Sequence, residues 1–312
     1  MGCELHINIG RSPWPDDPLT SPSRVATCTH WQRPTRRVPR SARARCALTE
    51  ALNPRRVGWL HAHFGDPLTD PAATPSAVVH GAVLYAIERC GDALDDAALG
   101  RAGDALHVAF ARAFAARADG VLPSYRGLVW VTDSLPALAA MALRARREGR
   151  ADRPGWDRWR ATVEASSLDA TTGLLIAPLH AVSRRAMGPP RGSAAMMAQP
   201  YLAVLDTSFA RAQWASAELH LLVAAGGLEG AREHLRGMER PPDLDSGRVV
   251  FGMGETASGF VILAAATSGA PNAPQKPGPV SARREAEGIF SRPDVGMRAT
   301  PIRKAFASVA NS

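Results

Sequence analysis

Lysine is nearly missing from this chain. Only Lys276 and Lys304 occur among 37 basic residues, in a sequence otherwise rich in Ala, Gly, Pro and Arg. Coding from GC-rich DNA produces such usage, so the arginine excess says little about partners. Cysteine is scarce as well. Cys3, Cys28, Cys46 and Cys90 form no CxxC pair, and the first three lie in the N-terminal stretch, so neither a disulfide framework nor a zinc knuckle is expected. Cys28-x-His30 lacks partners at ligand spacing, and no metal site is expected there. No apolar run reaches the roughly 18 residues of a spanning helix, and the first thirty residues hold no secretory apolar stretch. The Met-Gly-Cys start suggests acylation, but His6 stands where myristoylation wants Ser or Thr. The expectation is a soluble, reduced, cytoplasmic protein that crosses no membrane.

The charge sits at the ends. Residues 1–50 hold eight Arg against Glu4, Asp16, Asp17 and Glu50, a net of +4. Residues 275–312 hold seven Lys/Arg against Glu285, Glu287 and Asp294, also +4. Of 37 basic and 29 acidic groups in total, 22 and 22 are left for residues 51–274, which are neutral. Phosphate binding needs a basic face on the folded part, so no nucleic-acid partner is expected.

Residues 1–47, interrupted by Pro13, Pro15, Pro18, Pro22, Pro34 and Pro39, have no sustained period and are expected to be disordered. Residues 48–269 form the expected helical domain, and 270–312 return to Pro, Ala, Gly and Arg as a second disordered tail. Within the domain, Trp59, Leu60 and Phe64 make a short stripe. Residues 75–90 are a predicted helix with Val79, Val83, Ala86 and Ile87 inward. Residues 95–118 are another, with Leu99, Ala102, Leu106, Ala109, Phe110, Ala113 and Phe114 on its apolar face.

The rest is organised around 120–147. An extended piece, Val121–Tyr125, precedes a strand-like run carrying Trp130. A helix then opens, with Thr132, Asp133 or Ser134 as its cap and Pro136 in its first turn. Leu135, Leu138, Ala139, Ala142 and Leu143 share one face, and Arg144, Arg146 and Arg147 suit its negative end. Later helices are predicted from Pro154 with Trp156, Trp159 and Val163 inward, over 192–205 around Pro200, from Thr207 or Ser208, over 228–236, and after Gly254. Asp-Gly-Val-Leu-Pro at 119–123 and Thr-Gly-Leu-Leu-Ile-Ala-Pro at 172–178 recur in kind, as in a repeated helical hairpin. The fold class is therefore all-α, helical hairpins joined by Gly/Pro turns.

Four stretches carry a resemblance: Leu122-Pro-Ser-Tyr-Arg-Gly-x-x-Trp130-x-x-Asp133-Ser134, Asp169-Ala-Thr-Thr-Gly-Leu-Leu, Pro190-Arg-Gly-Ser193, and Asp243-Leu-Asp-Ser-Gly-x-x-x-Phe-Gly-x-Gly-x-x-Ala-Ser-Gly-Phe260. In this order, across residues 95–267, the chain resembles a group of bacterial α/α-toroid proteins. That group is similar in architecture to the linalool dehydratase/isomerase family and, more distantly, to six-hairpin glycosidases. The resemblance implies an α/α-toroid-like arrangement of hairpins. Residues 51–274 are too few for a double ring of twelve helices, so the implied toroid is open or incomplete. No cysteine follows Cys90, so a thiol-dependent dehydratase mechanism does not carry over.

Asp133 beside Trp130, at the mouth of a helical barrel, is the first candidate catalytic carboxylate. Desolvation there would favour its protonated form, as a general acid requires; an N-cap explains the same residue without chemistry. Asp245, just before a Gly-rich turn, is the second, or else part of an Asx turn. Two carboxylates across a funnel suit acid/base work on a glycosidic bond. Tyr125, Arg126, Trp130, His180, Arg191 and Glu255 are the candidate substrate-binding residues. His61-x-His63 points to two faces of a helix and makes no metal pair. Gly-Met-Gly-Glu-Thr-Ala-Ser-Gly at 252–259 lacks the Lys and the βαβ context of a phosphate loop and is a tight turn into a packed helix. The expected function is an enzyme acting on a sugar or terpenoid-like alcohol without a cofactor or metal. The alternatives are a non-catalytic helical scaffold, and an accessory protein whose tails bind an acidic partner.

Overall fold

The computed structural model describes residues 76–268 apart from 78, 95–96, 125–128, 181, 226–227 and 242–245. The tails, the Trp59–Phe64 stripe and the His61/His63 pair lie outside the described residues. Seven α-helices carry most of the described chain: α1 (Val79–Leu94), α2 (Ala97–Ala115), α3 (Leu135–Arg147), α4 (Trp156–Ser166), α5 (Gly192–Leu205), α6 (Thr207–His220) and α7 (Glu255–Ser268). Among the described residues, strands occur only as three antiparallel pairs, β1 (Val129–Trp130) with β2 (Pro178–Leu179), β3 (Leu222–Ala225) with β4 (Leu228–Ala231), and β5 (Val249–Val250) with β6 (Met253–Gly254). The described part of the chain is mostly helical, as the apolar periodicity predicts.

Helix α3 lies at the centre. Its residues Leu135 through Ala142 are all buried, so the one-face stripe expected from sequence is too narrow a description. Both α1 and α5 pack against it, while α5 also packs against α6 and, most extensively, α7. Alanines and small residues along α3 let these neighbours approach; a Cβ added to Gly81 of α1 would already stand 3.2 Å from the Ala137 nitrogen. The end of α3 is tied to α1 by charge. Glu88, buried, accepts from Arg144 Nε at 3.1 Å and is paired with Arg147. Cys90 of α1 is buried and is not a free thiol, which departs from the expectation of reduced, unpaired cysteines.

Several predicted elements keep their place with shifted edges. Trp156, Trp159 and Val163 are the buried face of α4, and α5 spans Gly192–Leu205 with Pro200 inside it. Helix α6 is capped by Asp206, whose carboxylate accepts from the Phe209 N–H at 3.0 Å, and not by Thr207 or Ser208. The helix expected over 228–236 does not form. Leu228–Ala231 instead pairs in register with Leu222–Ala225, where backbone pairing replaces a helix too short to nucleate itself. The two recurring connections share a local geometry. Asp119 Oδ1 accepts from Val121 N–H at 3.1 Å and Asp169 Oδ1 from Thr171 N–H at 3.2 Å, two residues on in each case, and each turn holds a glycine of positive φ, Gly120 at 64° and Gly173 at 70°.

The β5–β6 hairpin turns through Phe251 and Gly252, both with positive φ (52° and 77°). Glycine or Asn favours that conformation and a bulky aromatic does not. Phe251 is also 69% exposed, so its ring contributes little packing. Phe251→Asn should therefore raise stability by about 1 kcal/mol, read as a higher urea midpoint at unchanged slope.

Candidate functional site

The site is built on the turn between β1 and α3. Trp130 ends β1, and Val131–Ser134 form a single 3-10 turn. That turn is held from four sides. The Val131 N–H donates to Ala177 O at 2.8 Å, and the Trp130 N–H donates to Ser124 Oγ at 2.9 Å. Trp159 Nε1 donates to Val131 O at 2.9 Å, and Ser134 Oγ accepts from the Leu122 N–H at 3.0 Å. Ser134, not Asp133, occupies the N-cap position of α3, and it makes no side-chain cap bond there because its hydroxyl serves Leu122. Asp133 sits one residue earlier, inside the 3-10 turn, and is 6% exposed. Thr132 beside it is buried, and its hydroxyl has no hydrogen-bond partner among the described residues.

Two tyrosines close one flank. Tyr85 of α1 and Tyr201 of α5 meet edge to face, with ring centres 4.8 Å apart and planes at 83°. Tyr201 is half-buried as a residue, but its hydroxyl lies deep, and burial pushes its pKa well above the usual tyrosine value. The neighbouring Tyr85 and Asp133 push it the same way. Burial raises Tyr85 too, partly offset by Arg89. Both phenols thus stay protonated, and Tyr201 is the one that feels the Asp133 charge. An unfolded tyrosine loses its proton near pH 10 while the folded Tyr201 keeps it, so stability is complete below about pH 10 and falls above it. Thermal melts from pH 8 to 11 should show this decline, at up to about 1.4 kcal/mol per pH unit, and Tyr201→Phe should flatten it.

The other flank is ionic. Arg191, the N-cap residue of α5, places its guanidinium carbon 5.7 Å from the centre of the Trp130 ring. Its Nε donates to Glu233 Oε1 at 2.8 Å. The Glu233 side chain is fully buried. It also accepts from Ser193 Oγ at 2.7 Å and from the Ser193 N–H at 3.2 Å, so a carboxylate from a distant loop caps the positive end of α5. Close backbone approach makes this possible, since the Gly192 N–H donates to Glu233 O at 2.9 Å. A side chain at Gly192 would overlap the Arg232 carbonyl, so only glycine fits after Arg191. His234, paired across the backbone with Arg191, is buried.

The structure therefore brings together Asp133, Trp130 and Arg191 of the predicted set, and adds Tyr85, Tyr201, Glu233 and His234. Tyr125, Arg126 and Asp245 lie outside the described residues. His180 is not part of this cluster. It is exposed on the loop after β2, where its Nδ1 accepts from the Ser183 N–H at 3.1 Å. Glu255 opens α7 and holds the preceding loop. Its carboxylate accepts from the Arg248 N–H at 3.3 Å and pairs with the Arg248 guanidinium at 3.6 Å. Glu233 and His234 were hidden by the helix expected over 228–236. The usable signal was Gly226-Gly227 between two short runs, the pattern of a two-residue hairpin connection. No family model matches the chain, and no curated protein sequence matches it.

Proposed function

We propose that the chain is an enzyme that uses carboxylate acid/base chemistry on a small hydroxylated substrate, a sugar or a terpenoid-like alcohol. The observation that supports this most directly is Asp133. It is a buried carboxylate at a helix mouth that does not stand at the cap position, and its charge reaches the buried Tyr201 phenol of α5. Aromatic faces bind the apolar side of a sugar ring or an isoprenoid chain, and protonated phenols hydrogen-bond its hydroxyls. On this reading Asp133 is the general acid, and Asp245 is the second carboxylate. Tyr125, Arg126 and Trp130 are the substrate-binding candidates, and the hairpins belong to an incomplete α/α toroid. Two carboxyl groups about 5–10 Å apart would fit hydrolase-like chemistry. The scaffold reading draws support from Arg191 and Glu233, which are engaged with each other.

The test is a thermal-shift screen of the full chain against neutral oligosaccharides, uronic acids and small terpenoid alcohols, with Asp133→Asn beside it. A ligand at 100 times its Kd adds about 2.7 kcal/mol of stability. A shift with one class that Asp133→Asn loses is the expected result. A cooperative melt that no ligand moves would replace the enzyme by the scaffold.

A further inference from the structure

We propose that His234 is a hydroxyl-recognising group of the same site, an inference that rests on the enzyme reading above. His234 is 7% exposed, yet neither ring nitrogen has a hydrogen-bond partner among the described residues. A buried imidazole left in this state is costly, and native structures keep few such groups. Its position is specific. The backbone of His234 pairs with that of Arg191, whose guanidinium lies over Trp130, and His234 directly follows Glu233, whose carboxylate holds Arg191.

The chemistry of the neighbours selects the ligand. Glu233 already balances the Arg191 charge and fills the positive end of α5, so an anionic group would meet a neutralised pair. Each ring nitrogen of an imidazole can take part in a hydrogen bond, as donor or as acceptor. An alcohol hydroxyl, itself donor and acceptor, pairs with either nitrogen, and a vicinal diol or a hydroxyl with its bound water satisfies both. The geometry thus assigns His234 to an uncharged hydroxyl, in contrast to a carboxylate or phosphate.

The experiment compares full-length wild type with His234→Phe, His234→Gln, Asp133→Asn and His180→Gln. The probes are methyl glucoside, glucuronate and geraniol, read by melting temperature and by the imidazole Cε1–Hε1 NMR signal assigned through the His234 variants. Without ligand, His234→Phe should melt about 2–4 °C higher, because a ring of similar shape no longer buries unpaired nitrogens. An uncharged probe should move the His234 signal saturably, and its apparent affinity should fall at least tenfold in His234→Phe. His234→Gln, which keeps a donor and an acceptor, should retain part of the response, and His180→Gln all of it. A lower melting temperature for His234→Phe would overturn the inference, because the nitrogens would then be bonded in the resting protein. So would an undiminished ligand response in His234→Phe; if Asp133→Asn had lost that response, the enzyme reading would survive alone. If no probe moves either signal, the enzyme reading and this inference fall together.

Discussion

Trp159→Ala is expected to destabilise the protein by about 3–5 kcal/mol, the range for truncating a fully buried large aromatic. Trp159 has no exposed surface. It stacks on Trp156 with ring centres 5.0 Å apart and lies edge-on to Phe209 at 6.4 Å. Its indole N–H also holds Val131 O in the turn that carries Asp133. The loss therefore has two parts, which Trp159→Phe separates. Phenylalanine keeps most of the packing but removes the donor, and should cost about 1–2 kcal/mol. Urea denaturation at constant slope gives both values. Because the same bond fixes the site turn, Trp159→Phe should weaken any ligand response that depends on Asp133 more than its stability loss explains. A loss below about 1 kcal/mol for Trp159→Ala would contradict the packing described here.

Glu233→Ala is expected to cost about 3–5 kcal/mol through a different mechanism, the loss of one partner of a buried ion pair. The Arg191 side chain keeps only 12% exposure, and Glu233 is the anion bonded to its Nε. Removing the carboxylate also strips the Ser193 hydroxyl and N–H of their acceptor at the positive end of α5. Arg191→Ala alone leaves a buried carboxylate that still has Ser193, so it should cost less. The double variant should be more stable than the sum of the single losses predicts, by about 1–3 kcal/mol, because both changes delete one interaction. Added salt should barely alter these values, since a buried pair is poorly screened. Additive losses in the double-mutant cycle would show that the pair is not coupled.

How much of this was legible follows from the kind of information each feature needs. Apolar spacing at 3.6 residues marked the helices, because a core-facing helix must write its buried stripe into consecutive turns. Phe110, Phe114, Trp156, Trp159 and Val163 are buried as that spacing requires. The Asp-Gly and Asp-Ala-Thr-Thr-Gly connections were equally plain, since a short carboxylate and a glycine of positive φ define such turns locally. Asp133, Trp130 and Arg191 stood out as polar or amphipathic residues beside turns and helix starts. The edges were less legible. Asp206 caps α6 although Thr207 and Ser208 were equally able, and Ser134 spends its hydroxyl on Leu122, twelve residues back.

What the sequence determined by itself is the helical class, the central place of 135–147 and the neutral core between two basic ends. All of these follow from composition and periodicity within one segment. The tertiary structure decided the composition of the site. Tyr85 and Tyr201 meet across 116 residues of chain, and Glu233 reaches Ser193 across 40. No local pattern encodes such meetings, because they depend on how far each helix slides along α3 and α5 when the core closes. Burial then makes these meetings energetically strong, by removing the water that would otherwise satisfy each group separately.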